Sequence, residues 1–274
     1  MSRIVQRFAE LKAKNRAGFV AFVSAGDPDY DTSLAILRGL PKAGADIIEL
    51  GMPFTDPMAE GPAIQQSYLR ALSGGQTMAK TFALARALRS EDNTTPLVLM
   101  GYYNPIYSYG AERFTRDARD AGVDGLIVVD LTPEEDQELR GPAVAAGLDL
   151  IRLAAPTSDV NRLKTIVAGA SGFIYYISIT GPTGTKQINP ADLPVAVKRI
   201  KAATSLPVAV GFGIKSEADA AAVAKVADAV VVGSALVAEI SRFVSPDGKI
   251  SAGSTEAVLG LVARLANAAH QPRK

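Results

Sequence analysis

Eight short apolar runs, spaced along the whole chain, constrain its fold more than any other feature of the sequence. Each has the length of a β-strand, is rich in Val, Ile or Leu, and lacks the polar alternation of a half-buried strand. Continuous apolar runs of this kind indicate strands buried on both faces, as in a parallel sheet covered by helices. The runs are Phe19–Val23, Ile47–Leu50, Leu97–Met100, Leu126–Val129, Leu150–Leu153, Phe173–Ile177, Val208–Val210 and Ala229–Val232.

Helical stretches separate these runs, and a recurrent Ala-Gly-x-Asp pattern marks several helix-to-strand joints. The pattern occurs at 43–46, 121–124 and 146–149, with a weaker copy at 168–171. Its glycine can take the left-handed conformation that ends a helix before the chain re-enters the sheet. The predicted helices are Thr32–Lys42, Ala63–Leu72 continuing to Thr81–Arg89, Glu112–Ala121, Glu134–Ala146, Val160–Ala168, Asp192–Ala203, Glu217–Lys225 and Thr255–Ala268.

Eight strands that alternate with helices in a chain of 274 residues favour a (β/α)₈ TIM barrel over an open doubly wound sheet. An open sheet that binds a dinucleotide would carry GxGxxG after its first strand, where this chain has Ser24-Ala-Gly-Asp-Pro28. Ahead of that strand, Ile4, Phe8 and Leu11 share one helical face, which predicts a short N-terminal helix capping the barrel bottom. No interdomain linker interrupts the pattern, so residues 1–274 are predicted to form a single barrel domain.

The charge balance and the scarcity of Cys and His exclude several classes of function. The 29 basic and 28 acidic residues give a formal net charge of +1, which provides no reason to expect nucleic acid or an anionic membrane. Without cysteine there is no disulfide, thiolate catalysis or zinc–sulfur site. The one histidine, His270, lies in a polar tail and is expected to be solvated, so neither a Ser–His triad nor a metal site is expected. With no signal-peptide-like segment and no bilayer-length apolar run, a cytoplasmic protein is predicted.

Glu49 is unusual because it lies inside one of the apolar runs, close to the end of a predicted strand. A carboxylate is costly to bury without a partner, so this position needs an explanation. The loop that follows carries Asp56 and Glu60, two further acids that can face the same mouth of the barrel. The pattern indicates acid–base chemistry without a metal. A structural carboxylate held by backbone N–H groups explains Glu49 equally well, and the residues alone leave both interpretations open.

Glycine-containing turns follow the last three predicted strands and indicate a phosphate site. They lie at 181–185, 211–214 and 233–235. Glycines there expose backbone N–H groups, and Ser234 adds a hydroxyl at the expected start of a short helix. Phosphate sites after strands 7 and 8 recur in this fold. Adjacent turns at those strands therefore favour a phosphorylated small-molecule substrate over ordinary tight turns.

These segments together resemble the tryptophan synthase alpha subunit family over nearly the full length of the chain. The most specific marks are Glu49-Leu-Gly-Met-Pro-Phe-Thr-Asp-Pro-Met-Ala-Glu-Gly-Pro-Ala-Ile-Gln65, Ser178-Ile-Thr-Gly-Pro-Thr-Gly-Thr185 and Gly211-Phe-Gly-Ile214. The resemblance implies a barrel lyase of tryptophan biosynthesis that cleaves indole-3-glycerol phosphate, by retro-aldol chemistry, to indole and glyceraldehyde 3-phosphate. It implies no cofactor in this chain, and it implies a partner, the pyridoxal-phosphate-containing beta subunit, in an alpha₂beta₂ complex.

The resemblance also implies roles for particular residues. Glu49 matches the general acid–base that protonates the indole ring carbon and helps deprotonate the glycerol hydroxyl, and Glu60 matches a second acid that stabilises the indole N–H. The other matches are Tyr175, lining the active site; Thr183, on a mobile loop; Gly184, Gly213, Gly233 and Ser234, at the phosphate; and Phe22, Tyr102 and Phe212, around the indole. Core packing explains each of these aromatic residues equally well from sequence.

One position departs from the family pattern, and other hypotheses stay open. The family usually has Asp where this chain has Glu60, so the charge is kept on a side chain one methylene longer. A misplacement of about 1 Å can cost roughly a hundredfold in rate, which puts efficiency in question more than the reaction. The alternatives are an isomerase or lyase of another phosphorylated metabolite, and a barrel that mainly binds and activates a partner. A Schiff-base aldolase would need a lysine in a barrel strand, and the apolar runs contain none.

The mouth of the predicted barrel also carries features of a lid and of a docking surface. Two loops rich in Gly and Pro, Pro53–Pro62 and Ile179–Gln187, are predicted to close over substrate. Beside them lie apolar and proline residues that are expected to be exposed: Pro53, Pro57, Met58 and the run Tyr102–Tyr107. The resemblance implies that the beta subunit docks there, and the patch supports this, because a monomer rarely leaves such a patch bare.

Overall fold

Strands and helices alternate along the chain in the computed structural model, which describes residues 2–180, 186–187, 192–211, 213–245 and 248–272. The strands are β1 (Gly18–Ser24), β2 (Ile47–Gly51), β3 (Leu97–Gly101), β4 (Gly125–Val128), β5 (Asp149–Leu150), β6 (Arg152–Ala154), β7 (Ile174–Ile177), β8 (Ile179–Thr180), β9 (Lys186–Gln187), β10 (Val208–Gly211) and β11 (Ala229–Val232). The helices are α1 (Arg3–Ala13), α2 (Tyr30–Gly39), α3 (Pro62–Ser73), α4 (Met78–Arg89), α5 (Tyr103–Tyr109), α6 (Ala111–Asp120), α7 (Gln137–Ala146), α8 (Val160–Val167), α9 (Leu193–Lys201), α10 (Glu217–Ala224), α11 (Ser234–Ser241) and α12 (Ser254–Ala269).

The parallel strands form one sheet that nearly closes on itself at the fifth barrel strand. The strand order is β5-β4-β3-β2-β1-β11-β10-β7-β6, and β5 and β6 are two parts of one segment separated by Ile151. Because β5 pairs with β4 while β6 pairs with β7, this segment borders both ends of the sheet. The predicted run Leu150–Leu153 is therefore divided where the chain changes partners. The predicted (β/α)₈ barrel is confirmed.

The boundaries of several helices differ from the prediction. The helix expected to continue from residue 63 to residue 89 is two helices, α3 and α4. Gly75 interrupts it with a φ of +75°, and the Thr77 side chain then caps α4 by accepting a hydrogen bond from the backbone N–H of Lys80. Helix α7 begins at Gln137, three residues later than expected, and α5 forms where the sequence suggested only an exposed apolar run.

The Ala-Gly-x-Asp repeat acts as predicted and has a second role. Its glycines all have positive φ, at +109° for Gly44, +86° for Gly122, +75° for Gly147 and +80° for Gly169. Two of the aspartates that follow, Asp46 and Asp124, tie neighbouring strands together at the barrel bottom. Oδ2 of Asp46 accepts from the backbone N–H of Phe19 at 2.9 Å, and Oδ2 of Asp124 accepts from Leu97 at 2.8 Å.

The first helix fills the bottom of the barrel, as its amphipathic pattern predicted. Ile4, Phe8 and Leu11 are buried and belong to the same apolar cluster as the inward-facing side chains of the strands. The ring of Phe8 lies 5.7 Å from the ring of Phe173, at the start of the sixth barrel strand. Helix α1 therefore closes the end of the barrel opposite the predicted catalytic loops.

The expectation that His270 is solvated was wrong. Helix α12 continues to Ala269 and so brings His270 to the barrel bottom, where its Nε2 lies 2.8 Å from Oδ2 of Asp46. Burial alone would raise the pKa of Asp46. Hydrogen bonds from His270, from Arg16 and from the backbone of Phe19 outweigh burial and lower the pKa of Asp46 to about 2. Among the described residues, no helix is both long enough and apolar enough to span a bilayer.

Candidate active site

Glu49 points into the barrel from the middle of β2, between Phe22 on β1 and Val98 on β3. Its side chain is completely buried. Neither carboxylate oxygen has a hydrogen-bond partner among the described residues. The alternative interpretation of Glu49, as a structural carboxylate held by backbone N–H groups, therefore finds no support in that part of the chain. A buried carboxylate with no local partner is suited to exchanging protons with a bound molecule.

Glu60 comes to the same place from the loop between β2 and α3. A tight turn from Pro57 to Glu60 directs the chain inward, and Gln65 Nε2 holds the turn by donating to the backbone carbonyl of Glu60 at 2.8 Å. The Glu60 side chain is buried, and its Oε2 has no partner among the described residues. Both carboxylates line one cavity of about 30 Å³, together with Phe22, Ile64, Met100, Tyr175, Gly213, Ile214, Val231, Gly233 and Ser234.

The two carboxyl groups have pKa values well above those of solvated acids. Burial, and then the charge of Glu60, raise the pKa of Glu49 from 4.5 to about 8. Burial raises the pKa of Glu60 from 4.5 to about 7. The order of the two pKa values matters, because near neutral pH Glu49 keeps its proton while Glu60 begins to lose its own. Two neighbouring acids with separated pKa values form a proton donor and an anion in one cavity.

Two buried tyrosines bring their hydroxyl groups to this pair of acids. Tyr175, predicted to line the site, extends from β7 into the space left by Gly211, where a Cβ would overlap its hydroxyl. Tyr68 was not predicted; it extends from α3 into the space left by Gly51. The signal in the sequence was weak, because Tyr68 follows Ile64 at helical spacing and has the pattern of a core residue.

Phe22 borders the cavity, whereas Tyr102 supports the loop that carries Glu60. Tyr102 is buried, and its hydroxyl accepts a hydrogen bond from the backbone N–H of Ala59 at 2.9 Å. Its ring packs against Phe54 in the same loop, with ring centroids 5.7 Å apart. Tyr102 is thus near the site, but it does not line the cavity.

One side of the cavity is formed by glycine-rich backbone. Gly213 has a φ of +79°, and Gly233–Ser234 form the start of α11, whose eight residues run away from the cavity. The first N–H groups of a helix have no acceptor within the helix and favour an anion. Of the predicted residues, Thr183, Gly184 and Phe212 lie outside the described residues.

The comparisons with known proteins agree with this geometry. The family model for the tryptophan synthase alpha chain matches residues 8–268. The fold is similar to the tryptophan synthase subunit alpha of Legionella pneumophila str. Paris, with 37% identity, a TM-score of 0.89 and 98% of each chain covered. It is also similar to tryptophan synthase from Mycobacterium tuberculosis, with 36% identity, a TM-score of 0.88 and 98% of each chain covered. A protein of Aquifex aeolicus VF5 matches 99% of this chain over 100% of its own length, at 37% identity and a TM-score of 0.88.

The chain belongs to the tryptophan synthase alpha chain family. The activity of this family is the alpha reaction of tryptophan biosynthesis, the lyase cleavage of indole-3-glycerol phosphate to indole and glyceraldehyde 3-phosphate. The alpha chain pairs with a beta subunit in this family. The described residues contain no group of three or more His, Cys, Asp or Glu side chains that could hold a metal ion.

The loop between β2 and α3 separates the acids of this segment. Asp56 is exposed, whereas Glu60 reaches the cavity four residues later. The extra methylene of Glu60, relative to the Asp usual in the family, therefore does not keep its carboxylate out of the site. Of the three acids singled out in this segment, Glu49 and Glu60 are the pair that the structure brings together.

The predicted apolar patch at the mouth of the barrel is smaller than expected. Met58 is 85% exposed and Tyr107 is 62% exposed. Pro57, Tyr102 and Ile106 are buried, so the expectation of a continuous exposed run at Tyr102–Tyr107 was wrong. The reason is that this run forms α5, a helix that turns Ile106 toward the core and Tyr107 toward solvent.

Proposed function

We propose that Glu49 is the general acid–base of indole-3-glycerol phosphate cleavage and that Glu60 is the anion that stabilises the charged indole. The observation that carries this proposal is the pair of buried carboxylates, with no partner among the described residues for either Glu49 oxygen or for Oε2 of Glu60, in a cavity bordered by glycine-rich backbone. Residues 1–274 would act as one catalytic barrel, with substrate bound at the carboxyl ends of its strands.

In the first step, protonated Glu49 gives its proton to the indole ring carbon that carries the glycerol chain. The ring then bears a positive charge that is shared with the ring N–H. Ionised Glu60 stabilises this charge, and electrostatic help of this kind is often worth several kcal/mol. The separated pKa values, about 8 for Glu49 and about 7 for Glu60, favour this combination of one acid and one anion near neutral pH.

In the second step, the Glu49 carboxylate removes the proton from the hydroxyl on the glycerol carbon bonded to the ring. The electron pair of the O–H bond forms the aldehyde, and the carbon–carbon bond breaks. Its electrons return to the ring and neutralise it. Indole and glyceraldehyde 3-phosphate are released, and Glu49 has regained the proton it gave, so the reaction consumes no net acid or base.

The phosphate of the substrate would lie against Gly213, Gly233 and Ser234. The start of α11 offers backbone N–H groups and the positive end of a helix dipole. Gly184 is proposed to complete this site, Thr183 to close over the substrate, and Phe212 to flank the indole with Phe22 and Tyr175. Tyr102 would act from behind the loop, by fixing the backbone next to Glu60.

Substrate entry would require the mouth of the barrel to open. A cavity of about 30 Å³ is close to the volume of a single water molecule, far less than an indole ring with a glycerol phosphate chain. The loops at 53–62 and 179–187 are the proposed lids: the first carries Glu60, and residues 181–185 of the second lie outside the described residues. Closure would exclude water from the carboxylates during proton transfer.

The partner proposed for the mouth is the pyridoxal-phosphate-containing beta subunit, in an alpha₂beta₂ complex, with no cofactor in the alpha chain itself. Exposed Met58 lies in the loop that carries Glu60, so docking there would act directly on a catalytic residue. A cytoplasmic location is part of the same proposal, and the family assignment supports it.

The deciding experiment is indole release from indole-3-glycerol phosphate by the wild type and by Glu49→Gln. The wild type should release indole, and the variant should lose activity at least a thousandfold while it still binds a non-cleavable indole alkyl phosphate. Wild-type kcat/KM should rise with pH through about 7, as Glu60 ionises, and fall above about 8, as Glu49 loses its proton.

The Glu60→Gln variant separates the two roles. Because the Glu60 charge is one cause of the raised pKa of Glu49, its removal should shift the basic limb of any residual activity to lower pH. Substantial activity of Glu49→Gln would contradict the acid–base assignment. A wild type that stimulates a beta subunit yet releases no indole would instead favour the role of a partner-activating barrel.

A further inference from the structure

Tyr68 reaches the interior of the barrel from a helix outside it. It lies on α3, two helical turns after Glu60, and its side chain is completely buried. A Cβ placed on Gly51 would lie 2.9 Å from the Tyr68 hydroxyl and 2.7 Å from Cζ of Phe22. Gly51 is two residues beyond Glu49 on β2, so it faces inward one layer nearer the catalytic loops. The Tyr68 hydroxyl therefore lies inside the barrel, directly beyond Glu49.

The Tyr68 hydroxyl has no hydrogen-bond partner among the described residues. Buried tyrosine hydroxyls usually have one, because an unsatisfied polar group costs about 1–3 kcal/mol. Burial, followed by the charges of Glu60, Tyr102 and Glu49, raises the pKa of Tyr68 well above its ordinary value. The phenol thus keeps its proton and can act as a donor at any pH at which the enzyme works.

Glu60 has a complementary need for a donor. Its Oε2 is buried without a partner among the described residues, and an ionised carboxylate there requires hydrogen bonds. The titratable groups that face Glu60 are Glu49, Tyr68, Tyr102 and Tyr175. Phe22 connects the two groups in space, because its ring lines the cavity with Glu60 and also lies, with the Tyr68 hydroxyl, against Gly51. The unpaired Tyr68 hydroxyl is therefore beside the cavity that holds the unpaired Glu60 oxygen.

We propose that Tyr68 is a positioning residue. The Tyr68 hydroxyl and Oε2 of Glu60 are unpaired in this structure; when Glu60 ionises, the hydroxyl donates a hydrogen bond to it and holds that carboxylate toward the ring nitrogen of the substrate. The inference rests on the proposed function of Glu60. It also gives a reason why a longer acid works at this position. Glutamate has one more rotatable bond than aspartate, and a fixed donor on α3 restricts the carboxylate to one direction.

The test is Tyr68→Phe, which removes the hydroxyl and keeps the ring. A hydrogen bond to a charged group is strong enough that its loss should lower kcat/KM about tenfold or more. The pKa of Glu60 should rise by about one unit, because the bond favours the ionised form. The acidic limb of the pH profile should move to higher pH by the same amount, which the loss of packing alone would not cause.

A matched control is Tyr176→Phe. Tyr176 is equally well buried, at 1% exposure, but packs in the apolar layer between the sheet and the helices. Losing its hydroxyl should leave kcat/KM within about twofold of the wild-type value and should not move the acidic limb of the pH profile. In a Glu60→Gln background, Tyr68→Phe should cause almost no further loss, because its effect passes through Glu60.

A direct titration of Glu60 keeps the inference separate from the proposed function. The carboxyl carbon of Glu60 can be followed by ¹³C NMR in glutamate-labelled protein and assigned by its loss in Glu60→Gln. A pKa that rises in Tyr68→Phe supports the inference even if the wild type proves inactive, in which case the proposed function alone fails. An unchanged pKa of Glu60, or an equal loss of activity in the Glu60→Gln background, would overturn the role of Tyr68.

Discussion

Burial of Glu49 and Glu60 lowers the free energy of unfolding of this protein. Each is removed from water, and the titratable groups that face them inside the barrel are the other acid and the phenols of Tyr68 and Tyr175, with no cation among the described residues. A chain selected for stability alone would replace them with apolar residues. Their presence is best understood as the thermodynamic cost of a proton-transfer site.

This cost predicts how Glu49→Gln changes stability with pH. The pKa of Glu49 is about 8 in the folded chain against an ordinary 4.5, so between these values the folded state binds more protons than the unfolded state. Wild-type stability therefore falls as pH rises from about 4.5 to about 8. Glu49→Gln escapes this loss and should be more stable than wild type by up to roughly 5 kcal/mol above pH 8.

Urea denaturation of both proteins at pH 5 and at pH 9 measures the effect. The stability difference between Glu49→Gln and wild type should be small at pH 5 and large at pH 9. Glu135→Gln, which removes a carboxylate from an exposed position, is the control and should behave like wild type at both values. A difference of the same size at both pH values would mean that Glu49 does not titrate as described.

Among single residues, the buried position of Glu49 could be predicted from the sequence, whereas the positions of Tyr68 and His270 could not, for physical reasons. Glu49 could be found because a carboxylate inside an apolar run is anomalous by itself. Tyr68 could not, because its ring satisfies a helical core pattern and only the space beside Gly51 reveals that its hydroxyl enters the barrel. His270 was misjudged because α12 places it beside Asp46, where it is half-buried, although the residues that follow it are exposed.

At the scale of the elements, one arginine joins three segments that form the catalytic end. Arg70 on α3 binds Asp27, in the loop after β1, through Nε at 2.8 Å and Nη2 at 3.0 Å. Its Nη2 also donates to the Ser241 hydroxyl, at the end of α11, at 3.0 Å. Helix α3 follows the loop that carries Glu60, and α11 begins at the proposed phosphate site. Arg70 therefore fixes these two parts of the site relative to each other.

Breaking this connection should cost far more than breaking a surface ion pair. The side chain of Asp27 is fully buried, and Arg70→Met would leave its charge uncompensated. A loss of about 3–5 kcal/mol in unfolding free energy is expected, together with a raised KM. Arg38→Met removes an ion pair with Glu91 whose side chains are 39% and 54% exposed, and should cost less than about 1 kcal/mol.

Chemical denaturation of the two arginine variants checks this prediction. The double variant Asp27→Asn with Arg70→Met should regain part of the lost stability, since no unpaired charge remains. Equal effects of Arg70→Met and Arg38→Met would show that the buried pair contributes nothing beyond a surface contact.

The types of the strands and helices could be predicted from the sequence, but the change of partner in the fifth strand could not. Strands and helices could be predicted because the apolar runs and the Ala-Gly-x-Asp repeats are local signals. The division of the fifth strand at Ile151 could not be predicted, because it arises where the chain stops pairing with β4 and begins to pair with β7. Changes of partner of this kind depend on ring closure, which no local window of sequence contains.

At the scale of the whole molecule, the two ends of the barrel have different tasks. The bottom is closed by α1 and by the cluster of Asp46, Arg16 and His270, which ties the C-terminal helix to the first strands. The mouth carries the acids, the glycine-rich backbone and exposed apolar side chains. This separation matches the rule that barrel stability lies at the amino ends of the strands and chemistry at the carboxyl ends.

The last prediction concerns the surface around Met58, which is proposed to dock the beta subunit. Met58 is 85% exposed in a loop whose next residues, Ala59 and Glu60, are held by Tyr102 and Gln65. Burying a methionine side chain against a partner is worth about 1.5–3 kcal/mol. Met58→Asp should therefore weaken the complex by about ten- to a hundredfold, measured by sedimentation velocity against a beta subunit. It should also reduce the stimulation of indole release.

Val144→Asp is the matched control. Val144 is also an exposed apolar residue, at 65% exposure, but it lies in the last turn of α7, at the barrel bottom and away from the mouth. Val144→Asp should leave the affinity for the beta subunit within about twofold of wild type. Met58→Asp alone, without a beta subunit, should retain the basal rate of indole release, since its side chain does not line the cavity. If both aspartate variants bind equally well, the partner docks elsewhere, and the link between docking and the Glu60 loop is wrong.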